Sequence, residues 1–131
     1  MPLTTADLSM LRLWLEYSRE PTKNESLFHA WEWLNNVVGQ WPDVGWEAIL
    51  WLIAHAEGDQ VLERIGMGPL QHLVWFSGEF ASQVVERAHA DRAFYRAAQW
   101  VELDDEDVGE SEALRFDQAL ASSPFANDKA A

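Results

Sequence analysis

The chain has 131 residues, eight of them Trp and none Cys, and a formal net charge of −13. That is one domain by length with enough apolar residues for a real core, and it excludes a disulfide framework, a thiolate nucleophile and Cys-ligated zinc. The negative charge argues against direct binding to nucleic acid or to an anionic membrane, since both are met with Lys and Arg.

Met1 to Asp7 has neither the basic start nor the apolar run of a secretory signal. The longest apolar run, Ala48 to Ala54, is far short of the roughly 20 residues that span a bilayer. A cytoplasmic protein is the expectation. Thr4 and Asp7 have the spacing of a capping box, and helix one should run from there to about Arg19 with Leu8, Leu11 and Leu15 on one face. Glu20-Pro21 stops it. Thr22 and Glu25 form a second box that opens helix two, where Leu27, Trp31, Leu34 and Val38 make a continuous stripe. Gly39 should end that helix, and Trp41-Pro42 should form the corner.

Asp43 is the expected cap of helix three, which runs to about Glu57. Trp46, Ile49, Leu50, Ile53 and Ala56 form its main face, with Trp51 and Leu52 off it. A helix apolar almost all round belongs at the centre of a fold. Gly58-Asp59 leads into a short helix carrying Val61, Leu62 and Ile65. Two more helices carry Phe80, Val84 and Ala88, then Phe94, Ala97, Ala98 and Val101, with Asp91 as the cap between them. Leu103 to Ser111 reads as an acidic loop, Ala113 to Leu120 as a weak last helix turned inward by Leu114 and Leu120, and Ser122 onward as a loose tail. No strand alternation or hairpin turn stands out. The prediction is an all-α, compact domain of about seven short antiparallel helices over residues 1–121, with stacked helical hairpins (HEAT-like) as one arrangement, and a flexible tail over 122–131.

The organising stretch is Ile65 to Trp75. Gly66 or Gly68 can take a left-handed conformation that ends a helix, and Pro69 suits the first position of the next. Leu70, Leu73 and Val74 then face inward. A tight corner between two packed helices is expected. Around it, Trp46-Glu47-Ala48-Ile49-Leu50, Gly66-Met67-Gly68-Pro69-Leu70, Asp91-Arg92-Ala93-Phe94-Tyr95-Arg96 and Trp100 resemble an uncharacterised bacterial all-α domain family with a Gly-x-Gly-Pro-Leu helix corner. The resemblance spans about residues 30–102. Gln71 departs from it, because the family usually has an acidic residue there. It implies a compact helical fold and supplies no activity.

Few residues offer chemistry. Glu86 and His89 share a helical face, as in one half of a di-iron constellation, but a surface Glu–His contact is the plainer reading. Ser77-Gly78-Glu79 lacks the flanking pattern of a nucleophile elbow, and no phosphate-cradling or dinucleotide motif occurs. We expect no catalytic residue, metal or cofactor. Residues 24–63 contain seven carboxylates and no Lys or Arg, more than solubility requires. With the helix-two stripe inward, His29, Glu32, Trp33 and Asn36 point away from it; Glu47 and Trp51 lie opposite the main face of helix three. Trp is enriched at interface hot spots, but helices with neighbours on both sides would make both Trp core; that is the plainer reading for Trp51, while Trp33 stays open between core and surface. The expected binding residues are therefore Glu25, His29, Glu32, Trp33, Asn36 and Glu47, with Asp104, Asp105, Glu106 and Asp107 as a second acidic site. The expected function is an acidic protein-binding module, an inhibitor or immunity-type protein neutralising a basic toxin or effector. The alternatives are a nucleic-acid mimic that blocks a nucleic-acid-binding protein, a scaffold subunit, and an enzyme or metal protein using Glu86 and His89.

Overall fold

The chain enters its first helix through a reciprocal pair of bonds. The Thr4 N–H donates to Asp7 Oδ2 at 2.9 Å, and the Asp7 N–H donates to Thr4 Oγ1 at 3.0 Å. Asp is long enough to close the box. A computed structural model describes residues 3–19, 25–103 and 109–126. Its helices are α1 (Thr5–Arg19), α2 (Glu25–Gln40), α3 (Pro42–His55), α4 (Asp59–Ile65), α5 (Gln71–Phe76), α6 (Ala81–Ala90), α7 (Arg92–Ala98) and α8 (Glu110–Ala121). A π-helical turn, Gly66–Leu70, joins α4 to α5, and a 3-10 turn, Gly78–Phe80, precedes α6. Among the described residues no strand forms, and the domain is all-α. The second capping box falls partly on Thr22, outside the described residues.

Gly39 does not end α2, which continues to Gln40. The Trp41 N–H still reaches the Val37 carbonyl at 2.7 Å, and the Trp41 carbonyl accepts from the Gly45 N–H at 2.9 Å. Trp41 is thus the single residue between two helices. Pro42 occupies the first position of α3, so the helix is started by a residue that needs no N–H partner, and Asp43 does not cap it. A Cβ on Gly45 would lie 3.0 Å from Val38 Cα, so glycine lets α2 and α3 approach closely.

α3 is the centre. It is packed by α1, α2, α4, α5, α7 and the π turn. Its buried residues are Gly45, Ala48, Ile49, Leu52 and Ile53. The expected stripe is therefore displaced: Leu52 is fully buried, whereas Trp46 and Leu50 are half-buried. With neighbours on several sides, no single stripe describes the helix. The core also takes Leu11 and Trp14 from α1, Leu34 and Val38 from α2, and Phe94 from α7. Each buried Leu or Phe stabilises the fold by roughly 1.5–3 kcal/mol.

The expected corner at Gly66–Pro69 is absent. Helical backbone runs from Asp59 to Phe76: Gly66 lies at φ −64°, ψ −47° and Leu70 at φ −65°, ψ −46°. Pro69 is buried inside the rod rather than opening a new one. Proline has no N–H for the usual i→i−4 bond and crowds the preceding turn. The wider turn relieves both, with the Gln71 N–H donating to the Gly66 carbonyl five residues back. The actual breaks flank this rod. Gly58 has φ +99°, a left-handed value that favours glycine, and Ser77 at φ −140°, ψ 78° turns the chain into the 3-10 segment.

Asp91 caps α7 as expected, accepting from the Phe94 N–H at 3.2 Å. In α8 the inward residues are Ala113, Phe116 and Leu120, so Leu120 faces the core as expected, while Leu114 is 55 % exposed and does not. The chain stays attached just past α8. Ser123 is buried, and its hydroxyl donates to the Ala88 carbonyl at 2.9 Å.

Candidate functional site

On α2 the side chains of His29, Glu32 and Asn36 are exposed, and His29 Nδ1 lies 3.4 Å from Glu32 Oε1. Glu47 is exposed on α3, with Asp43 one turn before it. Among the described residues no Lys or Arg comes within ion-pair distance of Glu32, Asp43 or Glu47. Other carboxylates do have internal partners: Asp59 meets Arg96 at 3.2 Å, Asp91 meets Arg87 at 3.6 Å and Glu112 meets Arg115 at 3.3 Å. Asp59 therefore leaves the set of uncompensated charges expected of residues 24–63. The side chain of Glu25, and Asp104 to Asp107 entirely, lie outside the described residues. The chain before Asp104 is held down at Glu102: its N–H donates to Gln71 Oε1 at 2.7 Å, and the Trp75 indole N–H donates to its carbonyl at 3.1 Å.

Trp33 and Trp51 do not stand free. Both are half-buried against the core, and Trp51 stacks on His55 with ring centroids 4.0 Å apart. The exposed aromatics are elsewhere. Trp41 and Phe76 are each 62 % exposed, and Phe76 lies over the open side of Gly39. By sequence Trp41 is only a corner residue before Pro42. The missed signal is that a lone residue between two helices has no turn of its own helix to pack on.

Glu86 and His89 line a cleft of about 490 Å³ between α6 and α8. His89 Nε2 lies 2.8 Å from the Ala119 carbonyl, so that nitrogen carries the hydrogen and donates, leaving no lone pair there for a metal. Among the described residues no group of three or more His, Cys, Asp or Glu comes together as a ligand set.

A second cleft, of about 680 Å³, lies where α1 and α2 meet α4, the π turn and α5. Trp14, Tyr17 and Trp31 form one wall; Arg64, Gly68 and His72 form another. Nη1 of Arg64 is buried and has no hydrogen-bond partner. His72 Nδ1 lies 3.3 Å from Asn35 Oδ1. Burial holds the imidazole below its ordinary pKa of 6.5, because the charged ring loses hydration there. Burial thus favours the neutral ring of His72, and among the described side chains Arg64 is the cation that lines this space. Nothing in the sequence marked Arg64. It is the first base after forty acidic or neutral positions, 24–63, but only packing reveals that its Nη1 lacks a partner.

No helix is long and apolar enough to cross a membrane among the described residues. Comparison with family models, curated proteins and solved structures finds no match to this chain.

Proposed function

We propose that the protein is an acidic binding module that engages a basic protein partner through the exposed side of α2 and α3, in the manner of an inhibitor or immunity protein. The observation that supports this reading is the contrast between compensated and uncompensated carboxylates. Arginines are spent on Asp59, Asp91 and Glu112, while Glu32, Asp43 and Glu47 are left in water without one among the described residues. Like charges held on neighbouring helices repel one another, and cationic groups from a partner relieve that cost. Trp41, two residues before Asp43 in the chain and 62 % exposed, supplies the apolar contact that charge alone lacks. It takes the role that the sequence assigned to Trp33, whose indole is already committed to the core.

The two contributions separate kinetically. Rim charges set the rate of encounter, and a buried aromatic sets the rate of escape. The triple replacement Glu32→Gln, Asp43→Gln and Glu47→Gln should slow association roughly tenfold at low salt and flatten its salt dependence. Trp41→Ala should leave association nearly unchanged and speed dissociation roughly tenfold or more. The test is affinity capture from cells of the source organism, then binding kinetics of the captured partner at low and high salt. A partner that is acidic, or an association rate indifferent to salt, would refute the reading.

A further inference from the structure

We propose that the cleft around Arg64 is a binding site for a small carboxylate with a flat apolar body, distinct from the acidic face and independent of the function proposed for it. The first ground is Arg64, a half-buried cation that lines the cleft. Its Nη1 is sealed from solvent without an acceptor, so the charge is costly where it stands, and an anion against the accessible part of the side chain offsets that cost. The chain has 22 Asp and Glu, yet among the described residues none pairs with Arg64, including Glu63 beside it in the same cleft. An internal carboxylate would have been easy to provide.

The second ground is shape. About 680 Å³ is the size of a small-molecule site. Its walls are ordered before any ligand arrives: Trp14 is only 2 % exposed, Phe28 stacks on Trp31 with centroids 5.6 Å apart, and Phe28 meets Tyr17 edge-on at 6.5 Å. Such walls suit a planar apolar group, while the guanidinium fork suits a carboxylate. The third ground is the π turn. An α-helix turns every 3.6 residues, roughly, so positions spaced by four drift around it. The wider turn at Gly66–Leu70 reduces that drift and keeps residues 64, 68 and 72 on the side of the cleft. Gly68 adds the space between them, because a Cβ built there meets nothing within 4 Å.

Charge decides between anions. Among the described side chains one guanidinium lines the cleft, Glu63 lines it too, and the protein carries −13 overall. A monoanion is tolerated there better than a doubly charged phosphate ester.

The probes are 2-naphthoate, its neutral amide 2-naphthamide and 2-naphthyl phosphate, titrated into the full chain by calorimetry or ligand-observed magnetic resonance. The expected result is a Kd of about 1 mM or tighter for 2-naphthoate, in keeping with its small number of atoms. The amide and the phosphate should each bind roughly tenfold more weakly. Arg64→Met should reduce 2-naphthoate to the affinity of the amide without lowering the denaturation midpoint, since it removes a charge that has no internal partner. Gly68→Leu should stay folded and lose both ligands by filling the space. Equal affinity for acid and amide, tighter binding of the phosphate, or no binding of 2-naphthoate at about 10 mM would overturn the proposal. So would an Arg64→Met protein that is markedly destabilised, because Arg64 would then be a structural residue. The acid–amide comparison and Gly68→Leu require no change at Arg64, so the proposal stays testable if that variant fails to fold.

Discussion

Gly66 and Gly68 stand two residues apart on the same π turn, and their surroundings are opposite. A Cβ on Gly66 would lie 1.9 Å from the Ala97 carbonyl oxygen and 3.0 Å from Trp100 Cβ, whereas a Cβ on Gly68 meets nothing within 4 Å. One side of the rod from Asp59 to Phe76 is closed against α7; the other opens onto the cleft. Neither glycine serves a left-handed turn, since neither has a positive φ. The same residue type marks the closest approach at any of the described glycines on one side and unfilled space on the other. In sequence the two were interchangeable.

The largest way to test that contrast is Gly66→Ala. The new methyl must displace backbone, not the end of a flexible side chain, so destabilisation of about 3 kcal/mol or more is expected by chemical denaturation. A loss below about 1 kcal/mol would show that α7 moves away cheaply. Gly68→Ala should cost far less. Its Cβ meets open space apart from the ring of Pro69, which crowds a side chain on helical backbone just before it, so a loss of no more than about 1 kcal/mol is expected. A Gly68→Ala protein as destabilised as Gly66→Ala would mean that the cleft side is packed too.

The smallest expected effect concerns acid. Burial lowers the pKa of His72 from its ordinary value of 6.5, so the unfolded chain takes up that proton at a higher pH than the folded one. The stability contributed by the neutral ring is intact above about pH 6.5 and is lost as pH falls through the lowered pKa. Between about pH 7 and about pH 5 the denaturation midpoint of the native protein should therefore fall more than that of His72→Gln. Carboxylate effects are common to both proteins and cancel in the comparison. Parallel curves would show that the cleft leaves His72 as hydrated as in the unfolded chain.

The fold was legible where local chemistry decides it. The Thr4–Asp7 box and the Asp91 cap both form with the partners that their spacing implies, and the all-round apolarity of α3 marked the central helix. It was illegible where a tertiary contact overrides local preference. Gly-x-Gly-Pro reads as a helix end, but the contact of Gly66 with α7 and a widened turn keep the backbone helical through Pro69. Leu114 and Leu120 are equally apolar, and only the position of α6 decides that Leu120 faces inward with Phe116. Of the candidate surface, the exposure of His29, Glu32, Asn36 and Glu47 follows from helical phase, as expected. For Trp33 core and surface both stayed open in the sequence, because helical phase says which way a side chain points and not what lies beside it. Arg64 could not have been found, because an unpartnered guanidinium nitrogen is a property of three-dimensional packing.

The claim that the π turn has an open face can be tested with a single thiol. The chain contains no Cys, so Gly68→Cys carries a unique reporter. Its reaction with a small maleimide in native conditions should proceed within about tenfold of the rate in denaturant, and the labelled protein should keep its denaturation midpoint. A thiol that reacts only as the protein unfolds, or a fold lost on labelling, would place residue 68 in packed interior and contradict the cleft.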